Sequence, residues 1–93
     1  MEIVISEQVK SFLNSLPEKT KQVCINNLKK LANPFPGEDS GDKEKLILDG
    51  EIFYRMHISR SFTAFYIIDT KKQMVRVIEL LTIEKAHKKY RYK

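Results

Sequence analysis

Residues 51–69 read Glu51-Ile52-Phe53-Tyr54-Arg55-Met56-His57-Ile58-Ser59-Arg60-Ser61-Phe62-Thr63-Ala64-Phe65-Tyr66-Ile67-Ile68-Asp69. Two runs of period 2, residues 51–60 and 62–69, meet in this stretch. In the first, Ile52, Tyr54, Met56 and Ile58 share one face, and Phe53, Arg55, His57 and Ser59 share the other. In the second, Phe62, Ala64, Tyr66 and Ile68 oppose Thr63, Phe65 and Ile67. Such alternation, rich in aromatic and β-branched residues, predicts two strands with one face turned to a core.

Working toward the N-terminus, Asp49-Gly50 is a turn signal that ends a short strand over Lys45–Leu48. Residues 34–44, Pro-Phe-Pro-Gly-Glu-Asp-Ser-Gly-Asp-Lys-Glu, contain every breaker type and read as an exposed loop. Before it the period is helical. Ser6 is an N-cap for a helix carrying Val9, Phe12, Leu13 and Leu16. Pro17 opens a second helix, placed at its first turn and running to about Asn33, with Cys24, Leu28, Leu31 and Ala32 as its apolar stripe. The short break between them predicts an antiparallel helix hairpin. Met1–Ile5 is β-favouring. Working toward the C-terminus, residues 74–81 form a fourth apolar run after Thr70-Lys71-Lys72-Gln73, but Arg76 and Glu79 break its alternation and leave its facing open. The expected architecture is α+β. An N-terminal strand and an antiparallel helix hairpin pack on an antiparallel meander, in the order βααββββ, with a short basic C-terminal helix or arm.

A chain of 93 residues and 10.9 kDa is expected to form one domain spanning 1–93. The 42% hydrophobic and 31% charged content is that of a globular chain. No apolar run approaches a bilayer span, and MEIVISEQ lacks the pattern of a secretory signal, so a cytoplasmic location is expected. Cys24 is the single cysteine and lies on the helical stripe, which marks it as a small core residue. With two histidines thirty positions apart, no metal site and no cofactor is expected.

The net charge of +5 is unevenly distributed. Residues 1–44 carry a net −1 and residues 45–93 a net +6, of which Glu84 to Lys93 supply +4. Charge alone divides evenly between a solubilising tail and a surface for polyanions. The interleaving in His87-Lys88-Lys89-Tyr90-Arg91-Tyr92-Lys93 favours RNA, since cations suit phosphates and aromatic faces suit unstacked bases. Arg55 and His57, two apart on one strand face, add a cation and an imidazole. Together these could cleave RNA, with a base activating a 2′-hydroxyl, cations stabilising the phosphorane and an acid assisting the leaving oxygen. Spacing alone also fits ordinary polar residues on an open sheet face.

The segment Lys45-Leu46 … Asp49-Gly50 … Phe53-Tyr54-Arg55-Met56-His57-Ile58 … Phe65-Tyr66-Ile67-Ile68-Asp69, with a basic end bearing Tyr90, resembles the RelE/ParE toxin superfamily, in appearance closest to archaeal RelE mRNA interferases. The resemblance covers nearly the whole chain and lies in the order and spacing of its motifs. It implies the toxin of a type II toxin–antitoxin system, a metal-independent endoribonuclease that cuts mRNA in the ribosomal A site. It also implies a small RelB-like antitoxin as partner. It places Arg55 and His57 on central-strand positions of basic catalytic side chains, Tyr90 on the C-terminal tyrosine that meets the substrate nucleotide, and Lys45 on the lysine that opens the K-L strand. With Lys85 near enough to substitute for a missing arginine, the catalytic candidates are Arg55, His57, Lys85 and Tyr90; Lys45, Arg60 and the tail cations Lys88, Lys89 and Arg91 are the RNA-binding candidates. Two departures stand out. Ser61-Phe62-Thr63 replaces a "G-Y-R" sequence, and the C-terminal arginine of the pattern falls on Glu84 or Lys85. A ParE-like gyrase-binding toxin and a catalytically weakened RNA-binding member are the alternatives.

Overall fold

The structure, a computed structural model, describes residues 1–37 and 43–90. In chain order it comprises β1 (Glu2–Ile5), α1 (Glu7–Asn14), α2 (Glu18–Leu28), a 3₁₀ turn (Lys29–Ala32), β2 (Lys43–Leu48), β3 (Glu51–Ile58), β4 (Phe62–Asp69), β5 (Met74–Thr82) and α3 (Ile83–Tyr90). The five strands form one sheet in the order β1-β5-β4-β3-β2. Strands β2 to β5 are the expected antiparallel meander. Strand β1 joins at the far edge, parallel to β5, with Ile3 opposite Val75 and Ile5 opposite Val77. The α1–α2 segment carries the chain from β1 at one edge of the sheet to β2 at the other, and in doing so covers one face.

That face is the main core. Val9, Leu13, Cys24, Leu28 and Leu31 pack on Met56, Ile58, Ala64, Tyr66, Val75, Val77 and Leu80, all buried. The Ser6 cap forms as expected, its hydroxyl accepting from the Val9 amide at 3.2 Å. Past the end of β1, side chains continue to satisfy the β5 backbone. The Ser6 hydroxyl donates to the Ile78 carbonyl at 2.8 Å. The Gln8 amide both donates to the Leu80 carbonyl, at 3.0 Å, and accepts from the Leu80 amide, at 2.9 Å.

Several boundaries differ from the sequence reading. Pro17 sits at the N-cap of α2 with extended ψ, one residue before the helix, and the last turn of the expected helix tightens to 3₁₀. Strand β2 begins at Lys43, so Lys43 and Glu44 belong to the sheet rather than the loop. The loop is not wholly exposed either, because Pro34 is buried and its carbonyl accepts from the Tyr66 hydroxyl at 2.7 Å. Residues 38–42 lie outside the described residues.

The ambiguous facing of the last strand has a definite cause. Tyr66 pairs with Val77 and Phe65 with Glu79, which leaves Ile78 as an extra residue in a β-bulge. The bulge shifts the alternation by one and turns Glu79 onto the face away from the helix hairpin.

Both tight hairpins use two consecutive residues of positive φ. Asp49 and Gly50, at 52° and 80°, fit the usual chemistry of a type I′ turn. Ser59 and Arg60, at 55° and 59°, adopt the same shape without a glycine or asparagine. Each is held in a conformation that costs an L-residue roughly 1 kcal/mol.

Candidate functional site on the second sheet face

Residues directly opposite on neighbouring strands share a face. The pairings Glu44–Arg55, Arg55–Phe65 and Phe65–Glu79 therefore draw one row across β2, β3, β4 and β5 on the side away from the hairpin. A second row on the same face runs His57–Thr63–Leu81. The strand alternation thus places Arg55 and His57 together, as the sequence implied.

This face is not an open polar surface. Helix α3 lies on it, and Leu46, Phe65 and Ala86 form a second small core with Phe53, Ile78, Leu81 and Tyr90 around it. Helix α3 is pinned at its start, where the Ile83 amide donates to the Ser61 carbonyl at 3.0 Å, and the Thr82 hydroxyl accepts from the Lys85 amide. Near its end the Tyr90 ring stacks on Phe65 with centroids 3.9 Å apart.

The charges on the face are matched. Arg55 donates to the Glu44 carboxylate through Nε at 2.9 Å and through Nη2. Its side chain is only 15% exposed, against 55% for Glu44. Glu79, 14% exposed, accepts from Lys89 Nζ at 2.7 Å and from the Tyr90 hydroxyl. Burial pushes the Tyr90 phenol well above its ordinary value, and the Glu79 carboxylate, by accepting its proton and by repelling a phenolate, pushes it further. Tyr90 is thus held as a neutral donor, poorly suited to exchange a proton near neutrality. Its ring rests on Phe65 rather than standing out from the protein.

His57 is half-buried, with Nδ1 3.1 Å from the hydroxyl of the fully buried Thr63. Where the family pattern carries an arginine, this chain has a hydroxyl that fixes an imidazole. His57, Ser59, Arg60 and Ile83 line a shallow cleft at the β3–β4 turn. Arg60 is presented there by the positive-φ turn.

The remaining sequence-derived candidates are placed unevenly. Lys45 pairs with Tyr54 and so points to the hairpin side, away from Arg55 and His57. Lys85 is exposed on the first turn of α3. Lys88 pairs along the helix with Glu84 at 3.8 Å. Arg91 lies outside the described residues. Among the described residues no group of three or more His, Cys, Asp or Glu could hold a metal ion. No helix among the described residues is long and apolar enough to cross a membrane.

Sequence reasoning passed over three members of this face. In the sequence Glu44 reads as part of the loop, Thr63 as a strand position where the family pattern has an arginine, and Glu79 as a break in alternation. That break was the one available signal, since a charged residue out of phase in an apolar strand is what a bulge produces.

No family model and no curated protein matches the chain. Solved structures do. A chain of the archaeal RelE–RelB complex from Pyrococcus horikoshii OT3 superposes with a TM-score of 0.70 at 24% identity, covering 87% of this chain and 92% of that one. This is a RelE-like fold. A metal-bound toxin from Helicobacter pylori shares it, with a TM-score of 0.60 at 16% identity over 91% of this chain and 97% of that one. So does a chain of the intact E. coli RelBE toxin–antitoxin complex, at 0.56 and 15% over 86% and 93%. The likeness extends over the α+β arrangement as a whole, helices on a five-stranded mixed sheet.

Proposed function

We propose that this chain is the toxin of a type II toxin–antitoxin pair and acts as a metal-independent, ribosome-dependent endoribonuclease on mRNA in the A site. The observation that carries the reading is the β3–β4 cleft. There an imidazole oriented by a buried hydroxyl and a guanidinium on a constrained turn line one concavity. His57 would take or give the proton of the 2′-hydroxyl attack. Arg60 and Arg55 would bear the charge that develops on the non-bridging phosphate oxygens. Lys85, Lys88 and Lys89 on α3 would position the RNA backbone without reading its sequence. The partner in this reading is a small RelB-like antitoxin, and the site of action is the cytoplasm, where messages are translated.

The matched charges favour a second reading, a member that binds RNA and cuts it weakly. Arg55 and Tyr90, both placed as catalytic by the family pattern, are engaged by Glu44 and Glu79. Primer extension on a message translated in vitro with the purified protein separates the two. Codon-phased cuts that vanish in His57→Ala support the nuclease. Ribosome binding without cuts supports the weakened member. Inhibited supercoiling by gyrase without cuts would overturn both in favour of a ParE-like poison.

A further inference from the structure

We propose that Glu44 is a built-in competitor for RNA phosphate, holding Arg55 until a phosphate group takes its place. This inference rests on the RNA-directed reading above and adds to it a residue that sets how readily the central cation is available. Glu44 and Glu79, the two acids paired with cations of the face, are built differently. Glu79 is largely buried and accepts from two donors of α3, so it fastens the helix to the sheet. Glu44 lies on the edge strand β2, its side chain is more than half exposed, and it can swing into water while the strand stays paired.

The geometry of the pair is lopsided in a way that suits exchange. Arg55 is mostly buried beside Phe65 and keeps its place, presenting its Nε and Nη2 edge to one carboxylate oxygen. That same edge of a guanidinium donates two parallel hydrogen bonds to a phosphate. A carboxylate there stands in for the ligand, and an ion pair with one exposed partner is weak enough to be replaced. Glu44 thus offsets the charge of Arg55 at rest and lowers the affinity of that cation for any polyanion that offers only loose contacts. RNA that engages the α3 lysines as well supplies the extra attraction needed for the swap.

The test is fluorescence anisotropy of a short labelled oligo(A) RNA, measured at several salt concentrations on the full chain. Glu44→Gln keeps the size of the side chain and removes its charge. It should bind roughly two- to five-fold tighter than the wild type, the span expected when one exposed ion pair no longer competes. Glu18→Gln, on the first turn of α2, removes the same charge elsewhere and should behave as wild type. In an Arg55→Gln background, Glu44→Gln should gain nothing. Thermal melting of each variant confirms folding.

The proposal is overturned if Glu44→Gln binds no tighter, if Glu18→Gln gains as much, or if the gain survives the loss of Arg55. Arg55→Gln weakening RNA while Glu44→Gln changes nothing would sink the competitor and leave the RNA-directed reading intact. No binding by the wild type or any variant would remove both.

Discussion

Replacing Tyr90 by alanine should undock α3 while leaving the rest of the domain folded. The helix has eight residues, below the roughly 12–15 at which an isolated helix is even marginal in water, so packing must hold it. Two contacts dominate at its C-terminal end. The stack on Phe65, at 3.9 Å, contributes about 0.5–1.5 kcal/mol beyond area burial. The hydroxyl's bond to Glu79 contributes about 1.5 kcal/mol, the low end for a charged acceptor, because Lys89 still satisfies the carboxylate after the change. The sum, about 2–3 kcal/mol, raises the undocked population on the order of 30- to 150-fold. Tyr90→Phe keeps the stack and loses only the hydrogen bond, so it should give about half of that effect. Native-state hydrogen exchange resolves the helix from the sheet. Amides of Ala86 to Tyr90 should lose protection by these factors in Tyr90→Ala, with those of Phe65 and Tyr66 unchanged. Wild-type protection across α3 in that variant would show that Ala86 and the start of the helix suffice, and the reasoning would fail.

Other expectations follow from the same structure. Gln8→Ala should cost about 1–3 kcal/mol in urea unfolding, because it leaves both backbone groups of Leu80 without their partner. Ser59→Gly should raise stability by roughly 1 kcal/mol, by removing one of the two strained positions of the β3–β4 turn, read as a higher melting temperature. Stability should fall as the pH is raised through and beyond about 10. There the unfolded Tyr90 ionises at its ordinary value while the folded one stays protonated, so a contribution fully present below pH 10 is progressively lost. Tyr90→Phe should flatten that part of the profile. Cys24, fully buried and with its thiol pushed up by burial, should resist thiol reagents until the protein is unfolded.

How much of this was legible in the sequence depended on whether the determinant was local. Alternation placed β3 and β4 and assigned Arg55 and His57 to one face. The Ser6 cap and the Asp49-Gly50 turn were visible because their chemistry lies within a few residues. The parallel docking of β1 beside β5 was not, since its partners lie at the other end of the chain and no local pattern encodes them. The ion pair between Glu44 and Arg55 depends on the register of β2 against β3, and that register starts two residues before the strand the sequence suggested. The facing of Glu79 stays open in the sequence because a bulge changes the period midway through β5. The face thought to be open is covered because Ala86 and Tyr90, one turn apart on α3, have Phe65 to pack against. An eight-residue amphipathic segment does not announce which surface it will find.

The pairing of the first strand with the last has a consequence for the order in which the molecule can be made. Residues 2–5 leave the ribosome well before their hydrogen-bonding partners, residues 74–77. The Ser6 and Gln8 side chains wait for backbone groups 72 positions downstream. Such long separations are entropically costly to close and slow to form. Until β5 has emerged, the sheet lacks the strand that joins β1 to β4, and the helix hairpin has only part of its floor. The domain becomes complete only once β5 has been synthesised and β1 has docked beside it.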